Sequence, residues 1–477
     1  MSIQSESVAE QEEEEEIGFE QIAQNPPAPP DELFDISTTV DPSYVISLIR
    51  KLLPPTLNPT NDNHLEEHKC HEIMDDGKSS DQEKHAVGND SWEEYGCILW
   101  DLATSTTHAQ LMVQNLVLEV ILATLTVSQS PRVTEISLGI IGNLACHEVP
   151  RKHIVTVKGL IEIIVDQLFV DDSPCLCEEF RLLTLCLQGS EGITWAHALQ
   201  PENVLSRILW IVENTLNPQL IEKSVGFLLT ISESEDEVRA LLLPHLVKSG
   251  LPVILINLLA FEINKLEGDE RLPERYSILD TVLRAIEALT VTDSCSQELC
   301  SSKKLFNLLG TLIKLTDKIE VASSCVTAAV LIANLLSDSN DLILEISQDL
   351  VFLQGLLDMF PFASDDLDAR NALWDIISRL LAQFQQAEMN SLYQIISVLA
   401  SKSDLIEEEL LDNQLASSNK DKTASDRNLC VRTAALKRID CIASQWLTLK
   451  DGVSHTNEYV VNEQDLDRLK DCCHKYI

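Results

Sequence analysis

The sequence predicts an all-α protein whose helices stack as repeats into an α-solenoid, with a disordered acidic arm at the N-terminus. Three observations predict this fold class. Leu and Ile dominate the 45 % of residues that are hydrophobic, while aromatic residues make up only 5 %, a composition typical of helices packed on helices. Apolar residues recur at helical spacing in segments of about 12 to 18 residues. The longest segments return at a regular interval, which indicates structural repeats.

Residues 1–40 are predicted to form the disordered arm. Five consecutive glutamates, Glu12 to Glu16, are followed by four prolines between Pro26 and Pro30. Like charges repel one another and proline has no backbone N–H, so this composition disfavours a packed helix. The glutamates are not preceded by the apolar stretch of a secretory leader, and we expect no signal peptide.

Residues 41–55 are predicted to contain a short helix. Apolar side chains at Val45, Leu48 and Ile49 share one helical face, and a pair of prolines ends the segment. Residues 56–90 are rich in Asn, Asp, Glu, Lys and Ser with few apolar residues. This composition predicts a polar linker.

The linker contains the octet HLEEHKCH, which raises the question of a metal-dependent enzyme. His64, Glu67 and His68 match H-x-x-E-H, the inverted zinc-peptidase motif. A peptidase needs both histidines on one face of a rigid helix together with a third ligand. The polar flanks supply no apolar face for such a helix, so a solvated linker is the favoured interpretation and a zinc peptidase is the alternative.

Residues 91–411 are predicted to be helical repeats. Long apolar helices begin near Pro131, Pro174 and Pro218, at intervals of 43 and 44 residues, within the 40–47 residues of armadillo and HEAT repeats. Proline is tolerated in the first helical turn because its missing N–H has no partner there. A charged insertion at 264–275 lengthens one interval. Further copies are predicted at 276–294, 320–339 and 366–384.

Each repeat is predicted to hold a short first helix, a second helix and a longer third, the armadillo arrangement. One unit exposes more apolar surface than it can bury, so stacked neighbours complete a shared core. Residues 412–427 read as a second polar linker, and residues 428–477 as a C-terminal helical cap and tail. Terminal repeats are expected to differ from the others because one of their faces meets water.

Net charge restricts the classes of partner. The chain has 35 Lys and Arg residues against 76 Asp and Glu residues, a formal net charge of −41. Such a surface repels nucleic acid and anionic membrane, so we expect protein partners with basic segments. The apolar stretch 251–263 is too short to span a bilayer. We expect no membrane span, no direct nucleic-acid binding and a monomer.

Cysteine usage predicts an intracellular protein. The chain has 13 cysteines, an odd number, and no repeated C-x-x-C pair. Cys146, Cys186 and Cys325 lie in aliphatic stretches and are predicted to be buried, reduced thiols. We therefore expect the nucleus or the cytoplasm.

Four stretches of sequence resemble a known family. They are EEEEE, YVISLIRKLL, EEYGCILWDLA at 93–103, and SPRVTEISLGIIGNLACHE at 130–148. Together they are similar to the serum-amyloid-A-like protein family, most specifically over 90–150. The resemblance implies an armadillo-type fold, a nuclear location, a link with cell proliferation and no established catalysis. It supplies no binding residues.

Two asparagines are candidate partner-binding residues. In armadillo nuclear-import adaptors, Asn on the third helix bonds the backbone of an extended peptide, and Asn143 and Asn334 occupy comparable places. The adaptors carry Trp four residues earlier, whereas this chain has Gly139 and Val330. A structural role between repeats is at least as well supported for both asparagines. The missing tryptophans argue against a transport adaptor.

The remaining aromatic and glycine signals are interpreted as packing. The two glycines of SLGIIGN, Gly139 and Gly142, are expected to permit close approach of neighbouring helices. Five tryptophans lie among aliphatic residues and are predicted to be core residues. These are Trp100, Trp195, Trp210, Trp374 and Trp446.

The sequence therefore predicts a non-catalytic, intracellular, protein-binding scaffold without cofactor or metal. An acidic groove would capture a basic or amphipathic segment of a partner, with electrostatics speeding the encounter. The acidic arm is hypothesised to compete for that groove. The alternatives are the zinc peptidase and the nuclear-transport adaptor.

Overall fold

The structure, a computed structural model, describes residues 40–53, 80–267, 272–291, 299–338, 340–384, 389–417, 425–452 and 461–477. The predicted arm falls outside these ranges except for residue 40. Contacts divide the chain into two units, Met1–Asp41 and Pro42–Ile477, and every helix below belongs to the second.

All regular structure in the described ranges is helical, so the all-α prediction is confirmed. In chain order the helices are α1 (Pro42–Lys51), α2 (Ser80–Leu102), α3 (Thr106–Gln114), α4 (Val117–Val127), α5 (Pro131–Ala145), α6 (Glu148–Ile154), α7 (Leu160–Asp166), α8 (Ser173–Leu187), α9 (Gly192–Leu199), α10 (Glu202–Asn214), α11 (Pro218–Glu233), α12 (Asp236–Lys248), α13 (Leu251–Glu267), α14 (Glu274–Thr290), α15 (Lys303–Ile313), α16 (Ala322–Asp338), α17 (Asn340–Ile346), α18 (Leu350–Leu357), α19 (Leu367–Ala382), α20 (Met389–Ser401), α21 (Ser403–Ser417), α22 (Ser425–Gly452) and α23 (Glu463–Tyr476).

The helices repeat in threes, which confirms the predicted armadillo-like solenoid. Units α3–α5, α6–α8, α9–α11, α12–α14 and α17–α19 each end in a long third helix. The third helices contact one another in one continuous row, which runs α2, α5, α8, α11, α14, α16, α19, α22. Eleven of the 15 residues of α5 are buried, because each third helix packs on both neighbours and on its own unit.

The third helices begin where proline and a capping side chain occur together. Ser130, Asp172 and Asn217 each precede a proline in the first turn. Their side-chain oxygens accept hydrogen bonds from the backbone N–H groups of Val133, Cys175 and Leu220. Each cap satisfies an N–H that has no partner inside the helix. The predicted starts at these prolines are therefore confirmed.

Neighbouring third helices are parallel and in register. The Cys175 thiol at the start of α8 donates to the Pro131 carbonyl at the start of α5 at 2.9 Å. The Tyr276 hydroxyl at the start of α14 donates to the Glu320 carboxylate, just ahead of α16, at 2.6 Å. Both pairs are 44 residues apart. The N-terminal ends of neighbouring third helices consequently lie along the same edge of the stack.

Helix α1 covers the first unit. Val45 and Leu48 on its predicted apolar face are buried. The carbonyl of Leu52 accepts hydrogen bonds from the Trp92 indole N–H at 3.1 Å and the Thr124 hydroxyl at 3.3 Å. These bonds hold the residue after α1 against the solenoid, although Leu52 and Trp92 are 40 residues apart in sequence. The short helix predicted at 41–55 thus acts as an N-terminal cap.

Two predicted linkers are partly helical. Helix α2 begins at Ser80, inside the linker predicted at 56–90, and α21 continues to Ser417, inside the linker predicted at 412–427. Both extensions are polar in sequence, and helix propensity adjoining a packed helix is sufficient to continue it. Within the predicted cap and tail, α22 contacts α19, and α23 contacts α22.

One apolar helix is longer than the sequence prediction allowed. The segment Ile319–Ser337 consists of three residues before α16 and all of α16 except Asp338. It has 19 residues with a mean hydropathy of 1.9, enough in length and composition to cross a membrane. Of that window 61 % is buried inside the protein, because α16 packs against α14, α15 and α19. Two bent pairs meet the same limits together, Thr106–Gln114 with Val117–Val127 and Asp236–Lys248 with Leu251–Leu266. Membrane-crossing length and composition are therefore found at Ile319–Ser337, and not only in the stretch 251–263 considered from the sequence.

Candidate protein-binding surfaces

Asn143 joins three successive third helices. Its amide Nδ2 donates to the Trp100 carbonyl on α2 at 2.8 Å, and its Oδ1 accepts from the Arg181 guanidinium on α8 at 3.2 Å. Arg181 also donates to the Gly139 carbonyl and pairs with Glu178. Both functions of the Asn143 amide are used by neighbouring helices. Its geometry favours the structural alternative over ligand contact.

Asn334 occupies the corresponding position but has different surroundings. Each asparagine is the thirteenth residue of its helix, Asn143 in α5 and Asn334 in α16. Asn334 is exposed and makes no hydrogen bond with another described residue. Of the two candidates, only Asn334 presents its side chain to solvent.

The two glycines of α5 admit side chains from the adjacent helices. A Cβ at Gly139 would lie 2.2 Å from the Trp100 ring, and a Cβ at Gly142 would lie 2.5 Å from the Arg181 guanidinium. Any larger residue at Gly139 would displace the indole. The predicted close packing at both glycines is confirmed, and Trp100 covers the position at which the adaptors carry their own tryptophan.

The tryptophans divide between the core and the surface. Trp210 on α10 is 50 % exposed, so the core prediction is wrong for this residue. The Arg207 guanidinium lies 4.6 Å from its ring centroid and covers part of the ring. Helical spacing alone does not distinguish an inward from an outward position on a second helix. Trp100 is half-buried, and the core prediction is confirmed for Trp195, Trp374 and Trp446.

The three thiols predicted to be buried also divide. Cys186 and Cys325 are buried, and burial raises the pKa of both, that of Cys325 to about 12. They are therefore unreactive thiols at neutral pH. Cys146 caps the C-terminal end of α5 and is exposed, so the prediction is wrong there.

Two adjoining clefts lie at the C-terminal ends of α8, α11 and α14. One has a volume of about 370 Å³ and the other about 570 Å³, and Glu233 lines both. We call them the acidic clefts, because Glu233, Glu235, Glu237 and Glu287 line them. The sequence did not reveal them: Glu233, Glu235 and Glu237 lie within five residues of one another, but Glu287 comes from α14, 50 residues further along the chain.

The smaller acidic cleft favours a cation, because three glutamates and no basic residue line it, whereas the larger one has two glutamates and two arginines. Among their lining residues, Arg239 and Arg284 are basic, and each has an acidic neighbour: Arg239 pairs with Asp236, and Arg284 lies 3.6 Å from Glu233. Helix C-terminal ends carry partial negative charge, which adds to that of the glutamates. Burial raises the pKa of Glu287, Arg284 beside it lowers that pKa, and the carboxylates of Asp366, Asp280 and Glu233 raise it further. A bound cation would relieve this repulsion.

The peptidase motif cannot be located in the structure. His64, Glu67 and His68 lie outside the described residues. In the ranges that are described, no three His, Cys, Asp or Glu side chains are grouped to hold a metal ion.

Curated proteins that resemble this chain in sequence have the name SAAL1, which stands for serum amyloid A-like 1, so the predicted resemblance to this family is confirmed. Protein saal1 of Danio rerio is 27 % identical over 47 % of this chain and 48 % of its own length. Protein SAAL1 of Homo sapiens is 28 % identical over 30 % and 31 %, and protein saal1 of Xenopus tropicalis is 29 % identical over 33 % and 35 %. The chain thus spans about half the length of the zebrafish relative that it matches and about a third of the other two. No protein-family model matches.

Solved structures of engineered proteins resemble the fold. A designed armadillo repeat protein covers 60 % of this chain and 99 % of its own, with a TM-score of 0.42 and 14 % identity. An engineered protein covers 90 % and 98 %, with a TM-score of 0.45 and 17 % identity.

Proposed function

We propose that this chain is a non-catalytic protein-binding scaffold whose acidic clefts capture basic segments of partner proteins. The observation that carries the proposal is the convergence of three helix C-terminal ends and four glutamates on two adjoining clefts. An armadillo-like solenoid supports it, because stacked repeats offer an extended surface to a partner.

Capture of a basic segment would have two steps, its encounter with the solenoid and its retention in the clefts. A net charge of −41 steers basic segments towards the solenoid and raises the association rate. Within the clefts, lysine or arginine side chains would pair with Glu233, Glu235 and Glu237, whose side chains are exposed. Val291, also exposed at the rim, would supply apolar contact. Asn334 would contact the backbone of a partner elsewhere along the row of third helices.

Location and regulation belong to the same proposal. The resemblance to the serum-amyloid-A-like family supports a nuclear or cytoplasmic scaffold linked to cell proliferation. The acidic arm, residues 1–40, would compete in cis with partner segments for the acidic groove, a role that its charge alone suggests. Deleting the arm should strengthen capture of a basic peptide, and a fluorescent fusion imaged in cells tests the location.

The proposal is tested with a short fluorescent peptide in which lysine alternates with serine. We expect the wild-type chain to bind it with an affinity that falls as salt rises. The triple variant Glu233→Gln, Glu235→Gln, Glu237→Gln should bind roughly tenfold more weakly, since each exposed pair contributes up to about 1 kcal/mol. Fluorescence anisotropy measures both affinities.

A second triple variant controls for net charge. Glu119→Gln, Glu162→Gln and Glu408→Gln remove the same charge from exposed positions outside the clefts. We expect this variant to bind the peptide nearly as tightly as the wild type. Equal weakening by the two triples would mean that overall charge, and not the clefts, captures the segment.

A further inference from the structure

An exposed apolar side chain precedes each of six successive third helices. Leu216 and Ile319 are each 76 % exposed although they are large and aliphatic. Every member lies within five residues of the start of its third helix, and all but Val127, the last residue of α4, lie between the second and third helices. We call the set the apolar edge, and it consists of Val127, Phe169, Leu216, Leu272, Ile319 and Phe362.

The apolar edge is a row in space as well as in sequence. The third helices contact one another in order from α5 to α19, and the bonds Cys175–Pro131 and Tyr276–Glu320 hold the N-terminal ends together in two of these five pairs. Packed helices have axes 8–10 Å apart, so successive members are spaced by about 10 Å. Single exposed apolar residues are ordinary, whereas an aligned set of six marks an interaction surface.

The charges around the apolar edge are predominantly negative. Three basic side chains near it are already used by the solenoid: Arg207 donates to the carbonyls of Leu168 and Val170, Arg275 pairs with Glu262, and Lys318 is buried. The exposed carboxylates of the same turns and adjoining helix ends face solvent. They are Asp166, Glu213, Glu274, Asp317, Asp365 and Asp368.

We propose that the apolar edge docks a basic amphipathic α-helix of a partner protein. An α-helix rises 1.5 Å per residue, so apolar residues seven apart on one face are separated by about 10.5 Å, which matches the repeat spacing. In an extended strand, residues three apart also span about 10 Å but point to opposite faces. Lysine and arginine beside the apolar stripe would meet the flanking carboxylates. A second copy of this chain would bring another −41 of charge against the same surface.

This inference rests on the proposed protein-binding function but concerns a separate surface. The acidic clefts lie at the C-terminal ends of the third helices, and the apolar edge precedes their N-terminal ends. A lysine–serine peptide without apolar residues would use only the clefts. The two surfaces can therefore be tested independently on the full chain.

The test uses a fluorescent helix-forming peptide with leucine at every seventh position and lysine or arginine beside it. The double variant Leu216→Ser, Ile319→Ser should bind this peptide at least roughly tenfold more weakly, since two apolar contacts are lost. The control double variant Leu344→Ser, Val351→Ser changes side chains that are 60 % and 58 % exposed outside the row. We expect it to bind as the wild type does.

A second pair makes the outcome independent of folding. Both changes at Leu216 and Ile319 replace exposed side chains, so we expect unaltered thermal unfolding. If it alters, Val127→Ser with Phe169→Ser repeats the test in other units. Wild-type affinity in the edge variants would overturn the inference, as would tighter binding of a proline-rich peptide of equal charge. If the wild-type chain bound the lysine–serine peptide but not the helical peptide, the apolar-edge proposal alone would be overturned. Binding of neither would overturn both proposals.

Discussion

The second repeat and helix α21 near the C-terminus each bury a glutamate, and the surroundings of the two carboxyl groups are opposite. Glu409 on α21 accepts from the Arg370 guanidinium at 2.8 Å and from the Trp374 indole at 2.9 Å. Glu179 on α8 is fully buried, and within the described ranges neither of its carboxyl oxygens has a hydrogen-bond partner. Burial raises the pKa of Glu179 well above its ordinary value.

The difference shows two ways of closing the same solenoid core. Near the C-terminus, a buried ion pair connects α19 to α21, and Arg370 adds bonds to the carbonyls of Ser364 and Glu409. In α8, burial favours the neutral form of the Glu179 carboxyl. A buried pair is costly to break, whereas an unpartnered buried carboxyl is costly to keep. Substitutions in the two regions should therefore have opposite signs.

The largest effect is expected from Arg370→Ala. It removes the Arg370 guanidinium from the buried Glu409 carboxylate, and the free energy of unfolding should fall by about 3–5 kcal/mol. Chemical denaturation measures the change. Replacing both partners with Arg370→Met and Glu409→Leu should recover much of the loss, because neither charge remains buried. A loss below about 1 kcal/mol in Arg370→Ala would contradict the role of the pair.

Glu179→Met should have the opposite sign. It removes an unsatisfied buried polar group at similar volume, so the free energy of unfolding at neutral pH should rise by about 1–3 kcal/mol. Because its folded pKa is raised, Glu179 contributes stability below the pKa it has in the unfolded chain. This contribution is lost as the pH rises through the folded pKa.

The pH dependence provides the sharper measurement. The advantage of Glu179→Met over the parent should widen as the pH rises above about 4.5, the ordinary pKa of glutamate, because the unfolded parent ionises there while burial disfavours ionisation in the folded chain. Glu179→Gln removes the charge but keeps a polar side chain. Its advantage over the parent in free energy of unfolding should depend on pH in the same way as that of Glu179→Met, but should be smaller. An advantage independent of pH would mean that Glu179 is not held neutral by burial.

The smallest effect concerns a satisfied polar junction in the N-terminal repeats. Asn143→Ala removes bonds to the Trp100 carbonyl and to Arg181, and it should lower the free energy of unfolding by about 1–2 kcal/mol. Asn334→Ala at the corresponding position of α16 should change stability by less than about 0.5 kcal/mol. Thermal and chemical unfolding of the pair compare them directly. Equal losses would show that Asn334 also has a structural partner.

Local signals predicted the helices and their period correctly. Proline next to Ser130, Asp172 and Asn217 marked the starts of third helices, and the cap hydrogen bonds there explain why. The same signals did not distinguish Trp210 from the buried tryptophans, because helical spacing does not say which face meets another helix. The H-x-x-E-H octet lies outside the described residues, so its interpretation stays a prediction.

The sequence by itself determined an all-α, acidic repeat protein, because apolar periodicity, capping residues and charge act over a few neighbouring positions. Tertiary structure decided which polar groups meet: Asn143 with Trp100 and Arg181, Glu409 with Arg370, and the glutamates of the acidic clefts. The partners of Asn143 and of Glu409 named here are 38 to 43 residues away in sequence. Only the stacking of whole helices brings such distant side chains within hydrogen-bonding distance. The sequence of one repeat therefore does not indicate which side chains of the neighbouring repeat its polar groups will meet.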